Sequence, residues 1–84
     1  MELVKVQVKD VANFLSNLGG LDYRVLADFY GEDGFYIGKI DMNYAGGLFV
    51  SDEVRAVWRN DIKFSRMYTL QETVMFTFIV LKGE

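Results

Sequence analysis

Between Tyr23 and Tyr44 the residues alternate so regularly about Asp33-Gly34 that the segment can fold as little other than a β-hairpin. Tyr23, Val25, Ala27 and Phe29 on one arm, and Tyr36, Gly38, Ile40, Met42 and Tyr44 on the other, share a face by the two-residue period of a strand. Asp-Gly favours a two-residue type I′ turn, because both central positions of that turn need positive φ. Such a turn pairs Tyr23 with Tyr44, Val25 with Met42, Ala27 with Ile40 and Asp28 with Lys39. A four-residue loop over 31–34 instead pairs Val25 with Ile40 and Arg24 with Asp41. The registers differ by two residues, so both keep the same face inward. Each also creates an ion pair, which leaves turn chemistry to favour the first.

The flanking segments supply the other elements. Val4, Val6 and Val8 alternate with Lys5, Gln7 and Lys9 as a half-buried strand does. Asp10 then suits a helix N-cap, Val11, Phe14, Leu15 and Leu18 fall on one helical face, and Gly19-Gly20 ends the helix. Ala45-Gly46-Gly47 breaks the second hairpin arm, and Ser51 is a second N-cap, followed by Asp52 and Glu53 where the helix dipole favours acids. From Asn60 the period returns to two: Ile62, Phe64, Tyr68 and Leu70 alternate with Lys63, Ser65, Met67 and Thr69, and Arg66 breaks the series. Gln71-Glu72 is a turn, and the run from Thr73 is apolar on both faces, as expected of a strand inside a sheet. The expectation is one α+β domain over residues 1–84, in the order β-α-β-β-α-β-β. It is a small two-layer fold with an approximately five-stranded, mainly antiparallel sheet and two short helices on one face. A small curved barrel, closed at the glycine-rich corners, is the alternative.

Composition narrows the chemistry. The 84 residues are 51% hydrophobic and 25% charged, which is globular rather than disordered. There is no cysteine and no histidine, so disulfides, thiolate nucleophiles, imidazole bases and Cys- or His-ligated metals are all excluded. Ser16, Ser51 and Ser65 have no activating context, and neither glycine pair has the spacing of a phosphate-binding loop. The hairpin acids Asp28, Glu32, Asp33 and Asp41 are the remaining catalytic resource, and they read as solvated charges near a turn. Glu32 and Asp33 alone lack the ligand count of a calcium loop. An enzyme, a metal site and a cofactor are therefore not expected. The N-terminus lacks the charged and apolar regions of a signal peptide, and the longest apolar run, Val74 to Leu81, falls short of the ~18–20 residues of a membrane span. The expected location is cytoplasmic, with no membrane contact.

Surface chemistry points to association. Net charge is −3, with seven acidic and four basic side chains in residues 1–50 against three and four in residues 51–66. By alternation the outward hairpin face carries Leu26, Tyr30, Phe35 and Ile37 among Asp28, Glu32 and Asp33, an aromatic centre with a charged rim such as interface hot spots use. The expected function is a small acidic, non-enzymatic protein-binding module that occupies a surface of a larger protein. Inhibitors and adaptors encoded by phages and mobile elements are of this kind. A nucleic-acid-binding domain is the alternative, using Arg55, Arg59, Lys63 and Arg66 near Trp58 and Tyr68. A homo-oligomeric structural protein, paired through the outward hairpin face, is the third reading.

Overall fold

The computed structural model describes residues 5–17, 24–44 and 47–82, with main chain alone at 43 and 44. Helix α1 (Val8–Ser16) precedes strands β1 (Arg24–Gly31), β2 (Tyr36–Tyr44) and β3 (Gly47–Val50); helix α2 (Asp52–Ala56), β4 (Ile62–Leu70) and β5 (Thr73–Val80) follow. The strands form one sheet in the order β3-β2-β1-β5-β4, in which β1 and β5 run parallel and every other pair is antiparallel. The α+β class, the five mostly antiparallel strands and the two short helices are as expected. The sheet is open, with β3 and β4 at its edges, so it is not a barrel.

The order of elements is α-β-β-β-α-β-β, which corrects the expected start. Val4 and the Gly19-Gly20 stop lie outside the described residues. Lys5 and Val6 are in no regular element, Gln7 makes a single bridge to Asp61, and the helix begins at Val8. The backbone of this segment bonds to the connection after α2: Ile62 N–H donates to the Val6 carbonyl at 2.9 Å, and Val8 N–H to Asn60 at 3.1 Å. Asp10 accordingly occupies the third helical position, not the N-cap, and its carboxylate accepts the Gln7 N–H at 2.8 Å. The earlier start rotates the buried stripe to Val8, Val11, Ala12 and Leu15 and leaves Phe14 on the flank. The fifth strand of the sheet is β3, a four-residue segment that begins at Gly47, the last residue of the expected break.

Helices and sheet share one core. Val8, Val11, Ala12, Leu15 and Val54 pack on Val25, Ala27, Phe29, Ile40, Met42 and Val80, with Ile62, Val74, Phe76 and Phe78 partly covered beside them. All the strand members lie on the face toward the helices, hereafter the helix side. Phe29 is fully buried and stacks on Phe78 with ring centroids 5.5 Å apart. The sharpest constraint on α2 is glycine at 38: a Cβ there would stand 2.8 Å from Ser51 Cβ and 3.0 Å from Val54 Cγ2. Ser51 holds the N-cap position as expected, but its hydroxyl makes no cap bond. It accepts the Lys39 N–H of β2 at 3.0 Å and so ties the helix start to the sheet. No helix among the described residues is long and apolar enough to cross a membrane.

Candidate functional site

The hairpin keeps the favoured arm register by an unexpected route. Val25 faces Met42, Ala27 faces Ile40 and Asp28 faces Lys39, as a two-residue turn requires. The turn itself has three residues, 32–34. Gly31 N–H donates to the Phe35 carbonyl, Gly34 N–H donates to the Gly31 carbonyl, and Gly34 takes φ of +88°, which glycine adopts without strain. The extra loop residue is offset by a β-bulge: Tyr30 faces Tyr36 but Phe29 faces Gly38, so Ile37 has no partner on β1.

That bulge exchanges two side chains between faces. Tyr36, expected on the inner wall, sits on the outer face. Its ring meets Tyr30 edge-on at 5.3 Å, and its hydroxyl donates to Asp28 at 3.1 Å. Desolvation, then the Asp28 charge and this hydrogen bond, push the Tyr36 phenol up to about 12. Ile37, expected outward, packs against the core. Of the seven hairpin residues singled out from sequence, the structure brings together Leu26, Asp28 and Tyr30 on the outer face of β1. Leu26 is buried there and Asp28 and Tyr30 are half-buried. Phe35 stands at the tip, 75% exposed. Asp33 accepts the Phe35 N–H at 3.0 Å inside the turn, and Glu32 accepts the Lys82 N–H at 2.8 Å, so both acids organise local chain.

Asp41 is a fully buried charge on the outer face. Its carboxylate accepts the Arg24 Nε–H at 3.0 Å and a second bond from Nη2, a bidentate pair, and the Lys39 Nζ stands 3.9 Å away. Lys39 also lies over the ring of Phe49, the β3 residue opposite Asp41. The Arg24–Asp41 ion pair foreseen for the other register thus forms diagonally in this one.

The four basic residues divide between elements. Arg55 belongs to α2 and Arg59 to the turn after it, both exposed. Lys63 and Arg66 lie on β4 opposite Ile79 and Thr77, on the face away from the helices, where Arg66 stacks over the Tyr68 ring at 4.7 Å. Trp58 packs against the core. The four cations therefore form no single patch.

An exposed apolar strip lies on the helix side among the described residues, where sequence alternation did not point. Two short helices cover β1 and β2, but β5 and β4 extend beyond them. Val6, Val11, Phe14, Leu15, Phe76 and Phe78 line an apolar cleft of about 270 Å³, with Asp10 at its edge. Phe14 (55% exposed) flanks it, and Phe64 and Met67 (each 56% exposed) continue the strip along β4. Met67 reaches this face because β4 also carries a bulge: Phe64 faces Phe78 and Arg66 faces Thr77, leaving Ser65 unpaired. The bulge puts Met67 beside Phe76 on the helix side and sends Tyr68 and Leu70 to the outer face, the reverse of simple alternation. The broken series at Arg66 was its signal in the sequence. Comparison of the chain with protein-family models, with curated proteins and with solved structures finds no match in any of the three.

Proposed function

We propose that this protein is a small acidic, non-enzymatic binding module that works in the cytoplasm by occupying a surface of a larger protein, as phage- and mobile-element-encoded inhibitors and adaptors do. The observation that carries the reading is the helix-side strip of Phe14, Phe64 and Met67 around the apolar cleft. A domain of this size has few large apolar side chains to spare, and three more than half exposed beside one groove are what a protein contact surface displays. The hairpin acids support the same reading from the other direction. Asp28, Glu32, Asp33 and Asp41 each bind a group of the fold, so their charges serve the scaffold.

The test is retention of a partner from cell lysate by the tagged protein, after nuclease and across a salt gradient. Stoichiometric capture of one protein should survive nuclease and disappear in Phe64→Ser/Met67→Ser, with the variant still folded by circular dichroism. The same capture should persist in Tyr30→Ser/Phe35→Ser, which alters the hairpin tip and the outer face of β1 and leaves the helix side intact. Recovery of nucleic acid lost at modest salt, and abolished by Arg55→Glu/Arg59→Glu, would replace this reading with nucleic-acid binding.

A further inference from the structure

We infer that β4 is a docking edge that accepts an extended partner segment as a sixth strand, and that this segment alternates apolar with acidic side chains. The inference rests on the protein-binding reading and specifies its mode and its partner.

Three observations converge on β4. It is the longer edge of the sheet, nine residues against four in β3; among the described residues its outer side is bonded only at Ile62, whose N–H donates to the Val6 carbonyl, and the edge from Lys63 to Leu70 is paired with β5 alone. Beyond Ile62 such an edge presents main-chain donors and acceptors, the template that strand addition uses. The two faces of this edge differ in chemistry. Toward the helices stand Phe64 and Met67, continuous with the apolar cleft; away from them stand Lys63 and Arg66. Finally, β4 contains no acidic residue, and the residues opposite its two cations on β5 are Ile79 and Thr77, so neither charge is answered across that ladder.

Cations and a bulge on an edge strand are also devices that prevent indiscriminate pairing. That role accounts for Lys63, Arg66 and the Ser65 bulge, but a protected edge has no use for Phe64, Met67 and Leu70 more than half exposed on the same strand. The cations also weigh against a second copy as the occupant. In the fully overlapped antiparallel register of two β4 strands Arg66 faces itself, and three residues away Lys63 faces Arg66; like charges directly opposite destabilise both registers. An incoming strand with acids on the outer face and apolar residues on the helix side meets both surfaces at once, because its own side chains alternate with period two.

The experiment is an NMR titration of the intact chain with two synthetic ten-residue peptides, one alternating valine with glutamate and the other valine with lysine, with amide hydrogen exchange read in parallel. The glutamate peptide should bind about tenfold more tightly at low salt, the combined effect of two cross-strand charge pairs. It should slow exchange at β4 amides, and Lys63→Glu/Arg66→Glu should invert the preference. Equal binding of the two peptides overturns the acidic partner, and binding that leaves β4 exchange unchanged overturns strand addition, while the apolar-strip reading stands on its own lysate test. Absence of binding by either peptide at millimolar concentration overturns it too. Concentration-dependent protection of β4 without peptide would name a second copy as the occupant and overturn the acidic partner.

Discussion

Gly38→Ala is the most direct probe of how α2 is fastened to the sheet. The added methyl would stand 2.8 Å from Ser51 Cβ and 3.0 Å from both Ser51 Oγ and Val54 Cγ2. Carbon atoms in contact sit at about 3.5–4.0 Å, so the helix start must retreat by roughly 0.7 Å. It is not free to do so. Ser51 N–H donates to the Lys39 carbonyl and its hydroxyl accepts the Lys39 N–H, both at 3.0 Å and one residue from the substitution. Overpacking costs about 1–3 kcal/mol and a stretched hydrogen bond about 0.5–1.5 kcal/mol. The higher strand preference of alanine over glycine returns roughly 0.5–1 kcal/mol. The net expectation is a loss of about 1–3 kcal/mol. Urea denaturation should show a lower midpoint at unchanged slope, and the melting temperature should fall by about 4–8 °C per kcal/mol. Because Ser51 Cβ is the nearest atom, Ser51→Gly should relieve part of the clash, making the double variant less destabilised than the sum of the singles. A Gly38→Ala loss below about 0.5 kcal/mol, or strict additivity with Ser51→Gly, would falsify this account of the contact.

Other perturbations test other parts of the structure. Arg24→Met leaves the buried Asp41 carboxylate with Lys39 at 3.9 Å and should cost about 1–3 kcal/mol, less than the roughly 3–5 kcal/mol of a fully buried pair because Arg24 is itself half-exposed. Arg24→Met/Asp41→Leu should recover much of that loss in the same denaturation assay, and a double variant as unstable as the single would argue against a buried-charge penalty. Ile37→Ser should destabilise by about 1–2 kcal/mol while Tyr36→Ser changes stability by less than about 1 kcal/mol, since the bulge places Ile37 against the core and Tyr36 outside. The opposite ranking would mean that the hairpin follows simple alternation. For Tyr36, a folded pKa of about 12 lies above the ordinary value of 10.0, so the folded state retains a proton that the unfolded chain releases. Its contribution to stability is full below pH 10.0 and is lost as pH rises through about 12. Tyr36→Phe should flatten the alkaline fall in stability across that window, and ultraviolet titration at the tyrosinate band should show one phenol titrating late in the native protein.

Much of the fold is legible along the chain because strand and helix periods are local properties. The Val25, Ala27 and Phe29 wall, the Ile40 and Met42 wall, the Gln71-Glu72 turn and the interior position of β5 all follow from alternation and turn residues. The first segment misled for a physical reason. Three alternating valines look like a strand, but Gln7 makes only one bridge before Val8 begins a helix whose stripe also needs valine at that position. The candidate site was less legible still. Leu26, Asp28, Tyr30, Glu32, Asp33, Phe35 and Ile37 were grouped by counting alternate residues, and one bulged residue removes Ile37 from that face and puts Tyr36 on it.

From residue order alone came the class of fold, the two hairpin arms, a helix start at Ser51, and the absence of histidine and cysteine chemistry. These depend on residue identity and on spacings of two to four residues, which act within a few ångströms along the chain. Tertiary structure decided the rest. The bulges at Ile37 and Ser65, the diagonal Arg24–Asp41 pair, the Ser51 hydroxyl turned to β2 and the uncovered strip over β4 and β5 all depend on segments distant in sequence. Which face a strand residue occupies is a binary choice that a single inserted residue reverses, and the compensation that restores register appears only once the partner strand is in place.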